Sequence, residues 1–576
     1  YLMVKSNVEG EYGKYQLSMG SGSAFDFAYI GINVNNGSGS ADVLIKKNSA
    51  SGYGALAQDN NSMGLNVYSR GNITFSNVET RYNGGYYGAN LDNGSVENKN
   101  VTLTSCIFDE NDGEGLYLQS HGTVTWSNGS ADGNRGGDGA YLYNDGSALP
   151  RNISISNVTC DENAVNGLGV YTLGRISLNN VSASSNAGGY GAFLDNCRWN
   201  AGISGCQGSG DVQITGTYGK LEFNNNSGTG LEVRSRNNIS VTNINACGSL
   251  TSVGSFLRND YENASGGVTV KTTSAALYSL LSDNVNTGLI IYSKGAVSVA
   301  NLTASNIDSG TGVYIENNGA AMAQPVNLTR VNTSSNDQYG ISVLSVGAIT
   351  LNSVESNENN NYSIYLRNSS SPTGQGVTVN SVVANDNAGT SGLVITSAGV
   401  VTLNNIVAKN NIYGAVIDNT ASSVNAKVNL LSSLGENVFS GNVNHGLEID
   451  SDGDVSLSKV IAEWNNWNGI DVDTLGKLTA TSVITYHNAM HGMNIDADSG
   501  VIINGLQSCG NGSASNYDGL QILVNPGSMV SILNSMISGN YGNGIDISNC
   551  AAPVLTGTFY FGNDINDTGD SNIYLH

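Results

Sequence analysis

Carboxylates recur late in this sequence at a step that would bring them into line. Glu448 and Asp450, Asp471 and Asp473, then Asp496, with Asp546 further on, each follow a glycine by two or four residues. In a strand such positions share one face. If successive strands stack in parallel, Asp450, Asp473 and Asp496 stand about 4.8 Å apart. The run Asp450-Ser451-Asp452-Gly453-Asp454 adds a D-x-D-G-D pattern like that of a Ca2+ loop, which Asp498 would join. Close carboxylates raise one another's pKa or recruit a cation, and hard oxygen ligands favour Ca2+. Asp450, Asp452, Asp454, Asp473, Asp496 and Asp498 are therefore the candidate Ca2+ ligands, although nothing in the sequence requires a cofactor. The spacing also suits the carboxyl pair of a retaining glycosidase, but no groove or proton donor is legible. A solvated acidic stripe is the plainer account, and no catalytic residue is assigned.

The outward position two past the glycine carries aromatic residues in earlier repeats: Tyr117, Tyr141, Phe193, Phe256, Tyr314 and Tyr365, with Tyr143 and Tyr171 beside them. Such a stripe stacks on sugar rings or packs against another chain. Its bland alternative is ring stacking between repeats that stiffens the molecule. His487 and His491 have a spacing that holds a metal only on a helix, and here they flank a corner. Seven cysteines are too sparse for a disulfide framework. Cys160 takes a small core position, and Cys197 and Cys206, in one long loop, are the candidate disulfide, which would suit secretion. No Ser/His/Asp order, phosphate-binding glycine loop or CxxC pair is present. Sequons at Asn72, Asn152, Asn157, Asn180, Asn238, Asn301 and Asn327 offer glycan sites where the source uses that chemistry.

These residues are positioned by a repeat. Gly64, Gly88, Gly115, Gly139, Gly167 and Gly191 each open a G-[apolar]-x-[apolar] strand, at intervals of 24, 27, 24, 28 and 24 residues. The beat returns from Gly230 to Gly544, with Ser363 in one anchor slot. Each repeat adds a second strand, such as Arg175-Ile176-Ser177-Leu178, and a third apolar segment, such as Asn180-Val181-Ser182-Ala183. Alternation with period two buries one side of each strand, and three short strands bury it only by stacking on the next repeat. One asparagine keeps a fixed register eight residues past the second strand: Asn83, Asn111, Asn134, Asn163, Asn186, Asn336, Asn359, Asn387, Asn411, Asn465, Asn488, Asn511 and Asn540. Asparagine tolerates a left-handed corner, and stacked amides bond one another as a ladder. The expected fold is thus all-β, a single-stranded β-solenoid of about twenty turns alternating 24 and roughly 28 residues, right-handed by the crossover rule. At about 4.8 Å per turn its length is on the order of 100 Å. Residues 1–63 are read as irregular N-terminal turns and 64–576 as the regular helix, with longer loops near 192–229, 255–287 and 415–445.

The pattern G-[LAV]-x-[LV]…[ITV]-[ST]-[LVI]-x-N-V-x-[AST]-x-x-N resembles the right-handed parallel β-helix repeats of large bacterial surface and secreted proteins, over roughly residues 64–571. Gly295-Ala296-Val297-Ser298-Val299 and Tyr190-Gly191-Ala192-Phe193-Leu194-Asp195-Asn196 are similar to that repeat. The resemblance implies a pectate-lyase-like solenoid and leaves function open, since adhesins, tailspikes, lyases and pectin hydrolases share it. The N-T-D, D-D, G-H-G and R-I-K motifs that pectin hydrolysis would require are missing.

Composition sets the outer bounds. Of 576 residues 74 are glycine and 39% are hydrophobic, in evenly spaced short runs. The net charge of −23 disfavours nucleic acid and anionic membrane surfaces, and no run is long enough to span a bilayer. No signal peptide is visible, the chain opens on Tyr1, and both ends read as strand, which suggests a processed product or an internal section. The first expectation is an extracellular or cell-surface structural solenoid: a filament or sheath subunit, or an adhesin stalk, self-assembling head to tail or laterally. The alternative is a β-helix that binds or degrades surface polysaccharide.

Overall fold

A computed structural model describes residues 31–563 apart from 38–39, 47–54, 201–204, 320–321, 422–424, 515 and 551. It also describes the strands Met3–Lys5, Tyr15–Ser18, Ala24–Asp26 and Ile573–Leu575. Tyr1, Leu2 and part of the 192–229 loop therefore lie outside the described residues. The chain is all-β, a right-handed parallel β-solenoid of about 19 turns. It falls into two compact units, Tyr1–Gly295 with Asn301–Thr303, and Ala296–Ala300 with Ala304–His576.

In the first unit, Glu114–Gln119, Ala140–Tyr143, Leu168–Tyr171, Ala192–Asp195, Leu231–Arg234 and Ser255–Asn259 pair in parallel, each over the next, in one sheet. The register also runs toward the N-terminus, where Ile32–Asn36 pairs with Leu65–Ser69. In the second unit the same sheet type stacks Tyr413–Asp418, Leu447–Ser451, Ile470–Thr474, Met493–Ala497 and Leu520–Val524. The second and third strands read from the sequence belong to one further sheet, often as a single bent strand such as Ile153–Thr159 or Ile176–Ser182. The bend falls at a left-handed residue, Asn157 or Asn180.

Alternate side chains point inward. Leu116, Leu118, Leu142, Val170 and Leu194 are fully buried, as are Trp126 and Phe108, which meet edge to face at 5.9 Å. Each such aliphatic side chain contributes about 1.5–3 kcal/mol by leaving water.

The asparagine ladder lies along one corner, and all thirteen expected members are 0–1% exposed. All but one donate twice to the next: Asn134 N–H and Nδ2 both reach Asn163 Oδ1 at 2.9 Å, and Asn163 repeats this to Asn186 at 2.9 and 3.1 Å, whereas Asn411 gives Asn442 its N–H alone and turns its Nδ2 to Ala384 O. Asn60, Asn226, Asn442 and Asn563 continue it. Two details correct the expectation. The left-handed residue is the one before the ladder asparagine, such as Glu162, Ser185 or Trp464, because the asparagine's work is done by its amide. The anchor glycines are required by close approach: a Cβ on Gly139 would stand 2.5 Å from Asn163 Nδ2 and 2.6 Å from two carbonyl oxygens.

The alternation of turn length has its own cause. Short turns end the first strand in Ser or Thr, whose hydroxyl accepts the N–H two residues on, as Ser120 does from Gly122 and Thr172 from Gly174. Long turns before Gly446 carry a buried Asn there, which donates across the loop in cases such as Asn259 to Gly266 and Asn368 to Gln375, whereas the 27-residue turn opened by Gly492 has Ala497.

Candidate functional site: the outer columns of the first sheet

Parallel register turns every outward residue of the first sheet into a column. In the first unit one column reads Asn66, Asn90, Tyr117, Tyr141, Gly169, Phe193, Glu232, Phe256. Its neighbour reads Tyr68, Asp92, Gln119, Tyr143, Tyr171, Asp195, Arg234, Arg258, Tyr292. The rings form one file: Tyr87, Tyr117, Tyr141, Tyr171 and Phe193 follow each other at centroid distances of 5.2, 5.7, 5.0 and 5.5 Å. Tyr117 and Tyr141 are parallel, and the later pairs are tilted. The file changes column at Tyr171 because Gly169 has no side chain; a Cβ there would press on Tyr141 at 3.2 Å. Tyr141 and Tyr171 share a hydrogen bond, and burial pushes both phenols up, Tyr171 further.

The six aromatic residues expected from the sequence therefore do not make one stripe. Tyr117, Tyr141 and Phe193 lie in the file. Phe256 stands beyond Glu232, edge-on to Tyr292 at 5.5 Å. In the second unit Tyr314 donates to Glu316, and Tyr365 belongs to a separate trio with Tyr339 and Tyr362. Tyr171, four past its anchor, was legible only as a neighbour of the stripe, and Tyr87, which precedes the anchor Gly88, was not part of the expected set.

Beyond the file, Arg234 lies over Phe193 with its guanidinium carbon 4.8 Å from the ring centre. Arg258, in register one rung on, lies 5.1 Å over Tyr261. Arg236 donates to Cys206 O, and Cys197 is disulfide-bonded to Cys206. Asn263, on the next long loop, brackets Cys206 by taking its N–H at 3.0 Å and donating to its carbonyl at 2.9 Å.

The carboxylates of the second unit do stack. Asp418, Asp450, Asp473 and Asp496 occupy successive rungs of one column, and Glu448 and Asp471 are adjacent in the next. Asp418 extends the expected set by a rung. Burial first, then neighbouring carboxylates, raises the pKa of Asp450 and Asp496. The D-x-D-G-D run does not converge, because Gly453 turns the chain: its N–H bonds Ser451 Oγ, and Asp454 pairs outward with Lys427 at 2.8 Å. Asp498 starts another corner, its N–H on Thr474 O. Among the described residues no three His, Cys, Asp or Glu side chains are gathered as a metal site.

Beside that column sits a cluster that the sequence did not announce. His445 Nε2 lies 3.4 Å from Asp471, and Asp471 also accepts from Asn468 and Asn494. His491 accepts the Asp518 N–H at Nδ1, 2.9 Å away, which leaves the proton of the neutral ring on Nε2. Both histidines are buried, at 7% and 8% exposure, and burial lowers both pKa values, that of His491 to about 4. His487 instead packs on Trp464 and Tyr486 on the other side of Asn488, so the two histidines share no site.

Fold and columns together define a right-handed parallel β-helix with an aromatic outer file in one unit and an acidic one in the other. No family model and no curated protein matches the chain. Solved structures do: a double mutant of the periplasmic alginate epimerase AlgG aligns at 8% identity over 79% of this chain and 78% of its own, with a TM-score of 0.26. AlgG itself aligns at 9% over 80% and 76%, with a TM-score of 0.25. Superposition that loose leaves the functional reading to the side chains.

Proposed function

We propose that the chain is an extracellular β-solenoid that binds polysaccharide along the outer face of its first unit, without turning it over. The observation that carries this is the file of rings from Tyr87 to Phe193. Half-buried tyrosines present an apolar body with a polar rim. Repeated at rungs about 4.8 Å apart, they match the step of an extended glycan. The disulfide fits an oxidising compartment. Retardation of the full chain in gels containing xylan, β-glucan or polygalacturonate tests the reading. Tyr141→Ala should weaken retardation about tenfold, close to the ~1.4 kcal/mol that one stacked ring contributes. The parallel Tyr117–Tyr141 pair favours a second reading, in which the file only stiffens the unit. A variant with a lower melting midpoint and unchanged retardation would support that instead. Failure to bind any glycan would return the chain to the stalk or filament role.

A further inference from the structure

A pair of like charges on neighbouring rungs needs an explanation in a chain with only 23 Lys and Arg against 46 Asp and Glu. Arg234 and Arg258 are such a pair, adjacent in one column, with side chains 38% and 41% exposed. Like charges placed directly opposite in a sheet destabilise it. Here each guanidinium is held on its inner edge: Arg234 Nε and Nη2 bond the buried Glu232 at 2.8 and 2.7 Å, and Arg258 Nε bonds Asp260 at 2.7 Å. Among the described residues no protein acceptor meets Arg234 Nη1 or either Nη of Arg258. Ring faces fix the planes, Phe193 under Arg234 and Tyr261 under Arg258. The wall behind is braced by the Cys197–Cys206 bridge, by Arg236 on Cys206 O and by Asn263 across the next loop.

We propose that Arg234 and Arg258 form an anionic subsite at the end of the ring file, taking the carboxylate of a uronic acid or the sulfate ester of a sulfated sugar. The inference rests on the polysaccharide reading and gives it a substrate class. Guanidinium nitrogens oriented by a carboxylate on one edge and an aromatic plane below are preorganised for a planar or tetrahedral oxyanion on the other edge. The subsite is continuous with the file through Phe193, so a bound chain crosses from ring contacts to charge contacts within two rungs. Taken by itself, the second unit's column at Asp418, Asp450, Asp473 and Asp496 disfavours an acidic polymer.

The test is affinity electrophoresis of the full chain and its Arg258→Gln and Arg258→Lys variants against polygalacturonate, chondroitin sulfate and neutral xylan. Retention of at least one acidic polymer should exceed that of xylan. Arg258→Gln should weaken acidic binding about tenfold, equal to ~1.4 kcal/mol, and leave xylan unchanged. Arg258→Lys, which keeps the charge and loses the fork, should fall between. Whichever acidic polymer responds identifies the anion. If xylan binds and neither acidic polymer is favoured, or Arg258→Gln leaves acidic binding intact, the subsite is wrong and the ring file stands. If Arg258→Gln lowers xylan and acidic binding alike, the arginine serves the fold and the subsite is likewise overturned. If no polymer binds the parent chain, both readings fall together.

Discussion

A histidine beside carboxylates ordinarily gains basicity, yet His491 loses it. Removal from water outweighs the attraction of Asp471, and the Nδ1 lone pair is committed to the Asp518 N–H. With a folded pKa near 4 against 6.5 unfolded, the unfolded chain binds the extra proton across that window. Stability from this group is therefore present above pH 6.5 and is lost as pH falls toward 4, by up to about 3 kcal/mol. Glu114, pushed up to about 7, and Asp132, to about 6, act with the opposite sign, since the folded chain protonates them first. The histidine's share is thus read by difference. His491→Asn keeps an acceptor for Asp518, and in urea titrations its deficit relative to the parent should shrink from pH 7 to pH 4.5. A deficit that stays constant would show that the ring is not neutral in the folded chain.

At the scale of the element, two kinds of buried polar residue hold the corners, and they were not equally legible. The ladder asparagines share a register, so a count along the chain finds them. Their consequence is local and large: Asn387 takes two bonds from Asn359 and gives bonds to Asn411 Oδ1 and Asn385 O. Asn387→Ala should cost about 2–4 kcal/mol, because several buried groups lose partners at once. A loss under 0.5 kcal/mol in a denaturant titration would mean that water replaces the amide. The Ser/Asn choice at the end of the first strand, which sets a turn at 24 or 28 residues, was hidden. Its Asn members bond carbonyls seven residues away, and no periodicity marks a loop partner. The file's bend at Gly169, two past Gly167, and the pairing of Arg234 with Arg258, four past Gly230 and Gly254, do follow from the anchor count, but a feature confined to one or two rungs has no recurrence to mark it. Asp418 escaped notice because a long loop separates it from Asp450. Periodicity reports the inward face, the corner and the outward columns of evenly spaced turns, such as Asp450, Asp473 and Asp496; across an insertion a column follows only once the loop has been placed.

For the molecule as a whole, charge sets the terms on which the stack holds together. A net −23 is spread over a surface poor in lysine and arginine, and in the second unit four aspartates take successive rungs of one column with no lysine or arginine rung between them. Self-repulsion of this kind lowers the stability of the compact state. It is screened once the Debye length, about 10 Å at 0.1 M salt, approaches the rung spacing. Raising NaCl from low to moderate concentration should therefore raise the melting midpoint. Asp473→Asn, which removes the charge lying between Asp450 and Asp496, should stabilise the chain by roughly 0.5–1 kcal/mol, in the range of cross-strand pairs. It should also flatten the salt dependence. Calorimetry in NaCl, and in CaCl2 matched for ionic strength, separates screening from binding. A Ca2+ increment beyond the NaCl effect that vanishes in Asp473→Asn would mean that the column holds a cation, and Asp473→Asn would then destabilise the chain in CaCl2. With screening alone the two salts act alike, and the aspartates are a solvated stripe whose cost in stability the buried ladders offset.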